Sequence, residues 1–208
     1  MKIAFLIFDK FTALDAMGPY EVFSRFPGAE LKFVAKEAGP VRTDTGMLTV
    51  MAEASLDEVD GPEIFLIPGG EGNRPLMEDA EVLDWIRSAH ETSTWTISVC
   101  TGALLLGATG VLDGVRATTH WAYRDQLAEL GAEVSTDRVV IDGKIATAAG
   151  VSSGIDLALT LVGEMAGPEA AQAMQLGIEY DPQPPFDAGS PDKAPPAIVE
   201  FVRNLERG

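Results

Sequence analysis

The stretch ISVCTGALLLGATG, residues 97–110, changes character at its fourth residue. Ile97, Ser98 and Val99 close the run WTISVC (95–100), which has the length and apolarity of a buried strand. From Gly102 onward, GALLLGATGVL (102–112) is apolar almost all round, the pattern of a buried helix. A strand that ends in a reactive side chain and turns at once into a helix has the arrangement of a nucleophile elbow. Such a turn exposes the side chain at the carboxyl edge of a sheet, where open α/β folds bind ligands. The residue at the turn, Cys100, is the chain's only cysteine. Unpaired helix N–H groups aimed at it are expected to lower its pKa and raise its thiolate fraction. Free cysteine is equally one of the most buried residue types, so spacing alone leaves Cys100 either a packed thiol or a nucleophile.

Working outward, KIAFLIF (2–8) and EIFLIPGG (63–70) are runs of the same kind, apolar on both faces and closed by turn residues. LKFVAKE (31–37) is a weaker strand, and RVVIDGKIATAAG (138–150) reads as a hairpin turning at Asp142-Gly143. Helical patterns lie between them. ALDAMGPYEVFSRF (13–26) is expected to bend or restart at Gly18-Pro19. AEVLDWIRSAHE (80–91) places Val82, Leu83, Ile86 and Ala89 on one face, and HWAYRDQLAELG (120–131) stops at Gly131. GIDLALTLVGEMAG (154–167) follows Ser152 and Ser153, either of which is a candidate N-cap, and PEAAQAMQLGIEY (168–180) opens on Pro168. Alternating strands and helices specify an α/β fold: a doubly wound, mostly parallel sheet with helices on both faces. DPQPPFDAGSPDKAPP (181–196) is too rich in Pro and Gly for a regular element and reads as an arm laid over the body, before a last helix, AIVEFVRNLERG. There is no internal repeat and no second domain in the pattern, so residues 1–208 read as a single domain whose 181–208 segment is arm and terminal helix.

Composition narrows the partners. Fifteen basic residues against 32 acidic ones give a formal charge of -17. That surface repels phosphate backbones and anionic lipid, which argues against nucleic acid and membrane. No stretch approaches the roughly 20 apolar residues needed to span a bilayer, and the apolar start MKIAFLIFDKF is too short for a signal peptide. A lone cysteine excludes an intrachain disulfide and fits a reducing cytoplasm.

Four other stretches carry candidate chemistry. In IPGGEG (67–72), Gly69 and Gly70 leave backbone N–H groups that suit an oxyanion hole or simply a tight turn; no Walker lysine follows. Asp15, between Leu14 and Ala16, is either a helix cap or a partly buried acid whose pKa rises toward that of a proton shuttle. His120, in ATTHWAYRD (117–125), is placed to reach the sheet edge or to pack beside it, whereas His90 lies on a polar helix face. Tyr180 precedes the arm, where it either anchors that arm by packing or reaches the pocket with its hydroxyl. No His or Cys cluster suggests a metal.

Together these stretches resemble the DJ-1/PfpI superfamily, with its flavodoxin-like, class I glutamine-amidotransferase-like fold. The shared frame is a first strand leading to an acidic residue, IPGG, strand–Cys–helix, TTHW, and a Gly-rich turn into GID. SVCTGALLLGATGVLDG, RATTHWAYRDQL and QLGIEYDPQPPFDAGSPDKAP are most similar to the isocyanide hydratase branch, over residues 3–200. The resemblance implies Cys100 as nucleophile, Asp15 as general acid/base, and Thr101 as a supporting active-site residue. It implies a pocket tyrosine at Tyr180 and anion-stabilising N–H groups at Gly70 and Thr101, with Gly69 as the alternate. It also implies a homodimer with active sites near the interface, and no cofactor. Protease members carry Cys-His where this chain has Cys100-Thr101, and glyoxalase and deglycase members carry Glu where it has Asp15. The shorter carboxylate is expected to leave room for a small linear substrate.

The implied reaction is hydration of an isocyanide to an N-substituted formamide through a Cys100 thioimidate. Other readings stay open from sequence: a glyoxalase, deglycase or redox-sensing member, a hydrolase using Asp15 and His120 in a triad, or the ligand-sensing domain of a transcriptional regulator. The regulator branch continues into helix-turn-helix modules, whereas this chain stops at Gly208.

Overall fold

The computed structural model describes residues 1–207. Strand β1 (Lys2–Leu6) feeds helix α1 (Ala13–Phe23), which returns to β2 (Glu30–Ala35). A hairpin of β3 (Gly39–Arg42) and β4 (Thr49–Ala52) and the short β5 (Ala54–Ser55) precede β6 (Ile64–Ile67). Helices α2 (Asn73–Leu76) and α3 (Ala80–Thr92) lead to β7 (Trp95–Val99) and then α4 (Gly102–Ala108). A small pair, β8 (Arg116–Ala117) and β9 (Glu133–Val134), brackets α5 (Arg124–Glu129). β10 (Val139–Asp142) and β11 (Ile145–Ala148) form the expected hairpin, followed by α6 (Ser153–Ala166), α7 (Pro168–Gly177) and α8 (Pro196–Arg207).

The main sheet has seven strands in the order β10-β11-β7-β6-β1-β2-β5. Every pairing in it is parallel except β10 with β11. The runs that are apolar on both faces, β1, β6 and β7, occupy its centre, where both faces are covered. Helices α1, α6 and α7 pack as one group, and α3, α4 and α5 as another. From β1 the chain winds outward to β2, then returns to β6 on the other side of β1 and continues to β7. The order therefore reverses between β1 and β6, and the loops after β1, β6 and β7 open a crevice at their carboxyl ends.

Several local expectations are corrected. Helix α1 runs unbroken through Gly18 and Pro19. The Pro19 ring packs on α6 beside Gly154, so tertiary contact offsets the lost hydrogen bond. Neither serine caps α6: the Ser152 hydroxyl accepts from Arg138, and Ser153 donates to the Gly150 carbonyl. α4 ends at Ala108, where the Thr109 hydroxyl turns back to Leu106 O at 2.5 Å, and the 120–131 pattern splits into a 3-10 turn (Trp121–Tyr123) and α5. The hairpin β3–β4, with Gly39 and Pro40 inside it, gave no strand signal in the sequence. Residues 181–188 are exposed instead of lying against the body, and Phe186 is 78% exposed.

Candidate active site

At the end of β7 the backbone of Cys100 adopts a φ of 57°. That left-handed conformation costs a side-chain-bearing residue roughly 1–3 kcal/mol. The surroundings hold it there: Cys100 N–H donates to Ala148 O at 3.1 Å, and its carbonyl accepts the Thr119 hydroxyl at 2.8 Å. α4 then starts hard against β6, so that a Cβ on Gly102 would overlap the Ile67 carbonyl oxygen. The elbow expected from CTG is present.

Asp15 is fully buried in the first turn of α1 and is no cap. Its Oδ2 accepts the Gly69 N–H at 2.7 Å, and its Oδ1 has no hydrogen-bond partner among the described residues. Burial raises its pKa from 3.8 to about 7, against the opposing pull of the Gly69 N–H and the neighbouring Cys100 thiol. Asp15 is thus a buried carboxyl within the helix.

The thiol departs from expectation. Burial pushes Cys100 well above 9.0, and the charge of Asp15 acts in the same direction; the Thr101 N–H opposes both. The helix-terminus argument fails for two reasons. The sulfur is shut away from water, with Cys100 only 6% exposed, and α4 has just seven residues to set against an adjacent carboxylate. Burial therefore raises both groups of the pair, the thiol and the carboxyl beside it.

The glycine donors are also reassigned. Gly69 N–H is committed to Asp15, and Gly70 N–H donates to Thr101 Oγ1 at 2.9 Å. Neither is free to receive an anion, which leaves the Thr101 N–H, turned to the sulfur, as the backbone donor on the reacting atom. A Cβ on Gly69 would stand 2.6 Å from Thr101 Oγ1 and 2.8 Å from Asp15 Oδ2, so only glycine lets the loop pass between them. Asn73, which sequence reasoning missed, donates from Nδ2 to Thr101 Oγ1 at 3.2 Å and is buried. EGNRP carries no pattern that singles it out; a buried amide beside a Gly-rich turn is visible only in three dimensions.

Cys100 and Thr101 open onto a cavity of about 700 Å³. Its walls include Thr12, Asp44, Arg74, Leu104, Tyr123 and His120. His120 is half-buried, rests on Trp121 and Tyr123 with ring centroids 5.7 and 5.9 Å away, and leaves Nδ1 without a partner. Burial lowers its pKa. Among the described residues no hydrogen bond joins His120 to Cys100 or Asp15, so the triad reading has no geometric support. Tyr180 does not line this cavity; it sits beside Arg138 and Asp156, where burial and the Asp156 carboxylate raise its pKa. α8 takes the place expected of Tyr180 and the arm. Leu205 and Glu206 line the cavity, the Tyr123 hydroxyl donates to Glu206 O at 3.0 Å, and Arg203 lies 5.5 Å over the Trp121 ring. His90 is structural, its Nδ1 2.8 Å from Thr96 Oγ1. Among the described residues no group of three His, Cys, Asp or Glu side chains converges to hold a metal ion, and no helix is long and apolar enough to cross a membrane.

Comparison with known proteins fits this geometry. A DJ-1/PfpI family model matches residues 1–164. The isonitrile hydratase of Pseudomonas putida is 46% identical over 203 residues, which cover 98% of this chain and 89% of that one. The HTH-type transcriptional regulator CdhR of Pseudomonas aeruginosa is 29% identical over 80% of this chain, which spans 51% of the regulator's length. Among solved structures, a THiJ/PfpI family protein from Pseudomonas syringae superposes with a TM-score of 0.95 at 37% identity, covering 98% of this chain and 85% of that one.

Proposed function

The chain belongs to the DJ-1/PfpI family, and from that premise we propose that it hydrates an organic isocyanide, R–N≡C, to the N-substituted formamide. The observation that carries this reading is the buried pair at the elbow, Cys100 beside Asp15 with burial raising the carboxyl to about 7, in a chain nearly half identical to an isonitrile hydratase. An isocyanide carbon accepts a nucleophile and then needs a proton on the same carbon. The pair is suited to supply both.

The Asp15 carboxylate takes the thiol proton as Cys100 Sγ bonds to the terminal carbon, then returns that proton to the carbon, giving the thioimidate R–N=CH–S. Asp15, again a carboxylate, takes a proton from the water that attacks this carbon and passes it to the nitrogen. Collapse of the tetrahedral adduct breaks the C–S bond, passes the adduct's hydroxyl proton to sulfur and releases R–NH–CHO. The proton taken from the thiol is thus the one delivered to carbon. The Thr101 N–H stabilises charge on sulfur as it leaves. The cycle needs only the substrate and water.

We also propose that the protein is a homodimer with its sites near the interface, an arrangement that would cover the exposed apolar side chains of Leu14, Met47, Leu48 and Met51. A reducing cytoplasm suits a site whose nucleophile is a free thiol. The activity is tested by following loss of an aliphatic isocyanide in the infrared with Cys100→Ala as control. Formamide formation by wild type alone is the expected result, and turnover of methylglyoxal in its place would overturn the reading.

A further inference from the structure

Thr101 Oγ1 accepts two hydrogen bonds, from Gly70 N at 2.9 Å and from Asn73 Nδ2 at 3.2 Å. A hydroxyl oxygen has two lone pairs and one proton. With both lone pairs taken by donors on the protein side, the proton must point elsewhere, and the side chain's open side is the cavity it shares with Cys100. A threonine hydroxyl normally rotates to suit its surroundings; this one is prevented from doing so. One donor is a backbone N–H fixed by the strand end at Gly70. The other is a side chain, Asn73, which is 2% exposed and whose Oδ1 has no hydrogen-bond partner among the described residues. A buried amide that leaves its own oxygen unsatisfied carries a desolvation cost, here set against one side-chain hydrogen bond of 3.2 Å.

We propose that Asn73 is a positioning residue that locks the Thr101 hydroxyl as a donor into the cavity, aimed at the substrate atom on which negative charge develops. Under the hydration reading, on which this rests, that atom is the thioimidate nitrogen, which takes up the C=N electron pair as the imine becomes an amine. The hydroxyl stabilises the charge that collects on nitrogen when water adds to the adjacent carbon, before that nitrogen is protonated. Asn73 itself touches no reacting atom. Its effect passes through Thr101, so it should act on turnover more than on substrate binding.

A double-mutant cycle tests this. Asn73→Ala is expected to lower kcat about tenfold with KM little changed, Thr101→Val to lower it by a similar or larger factor, and the double variant to be no slower than Thr101→Val alone. A merely structural asparagine would instead add its full loss in the Thr101→Val background. That additivity, or full activity in Asn73→Ala, would overturn the proposal. The same four proteins are assayed for reversible hemithioacetal formation between Cys100 and a simple aldehyde, read by intact-mass spectrometry. There the hydroxyl meets the adduct oxygen and no isocyanide chemistry is needed. If wild type leaves isocyanides untouched, the hydration reading fails, while non-additive weakening of the hemithioacetal still supports the role of Asn73 and additive weakening sinks it.

Discussion

The floor and the roof of the site are built by different means. The floor is made at strand ends: Cys100 in a left-handed turn, Asp15 on the Gly69 N–H, and Thr101 held by Gly70 and Asn73. Every one of these positions is fixed by backbone hydrogen bonds or by buried side chains. The roof is the end of α8, reached after an exposed arm and tied down by Tyr123 to Glu206 and Arg203 over Trp121. Burial gives the floor its chemistry, since it raises both the thiol and the carboxyl, the latter to about 7. The roof, half-exposed and held by single side chains, is suited to govern access. Mutations in the floor should therefore strike turnover, and mutations in the roof should strike binding.

The largest effect is expected from Cys100→Ala, which removes the bond-forming atom and should reduce isocyanide loss to the uncatalysed background. Next comes Asp15→Asn, which keeps the shape but cannot take the thiol proton; kcat should fall by about 10²–10⁴. The same substitution should act oppositely on stability. A carboxyl whose pKa is raised by folding ionises first in the unfolded chain, so the wild type loses stability as pH rises from about 4 through about 7. Thermal melts should therefore place Asp15→Asn above wild type near pH 8, with the gap closing below about pH 4. A floor that paid nothing for its buried acid would show no such crossing.

Gly102→Ala probes the elbow without touching a reactive group. Its methyl would overlap the Ile67 carbonyl oxygen, and a loss of about 1–3 kcal/mol is expected in denaturant melts, with activity reduced as the turn shifts. The smallest effect belongs to the roof. Tyr123→Phe removes the hydroxyl that holds Glu206, worth about 0.5–1.5 kcal/mol; KM should change by less than about tenfold while kcat holds. A Tyr123→Phe variant that instead lost kcat would erase the distinction between floor and roof.

Much of the floor could be read from the chain alone, because its determinants are local. WTISVC followed by TGALLL already states a strand, a turn and a buried helix, and IFLI and IAFL are apolar on both faces as central parallel strands must be. Asp15 stands out as a charge in an apolar run. What escaped was whatever depends on who faces whom. The N–H groups of Gly69 and Gly70 look free in a sequence and are occupied in the fold by Asp15 and Thr101. The thiol was expected to be acidified by its helix, yet burial and the neighbouring carboxylate decide its state. Asn73 has no local signature at all. The roof escaped for the same reason: DPQPPFDAGSPDKAPP suggested an arm laid over the body, but exposed Pro-rich chain holds no position of its own, and the amphipathic α8 beyond it reaches the cavity instead.

In the proposed cycle the resting proton sits on Cys100 and Asp15 moves it. With a single cysteine in the chain, the infrared S–H stretch reports that sulfur without ambiguity. Across a titration from about pH 5 to 9, the S–H band should persist, while a buried carboxyl C=O band, absent in Asp15→Asn, disappears near pH 7. Loss of the S–H band at neutral pH, with the carboxyl band intact, would mean a resting thiolate beside a protonated acid and would contradict the account.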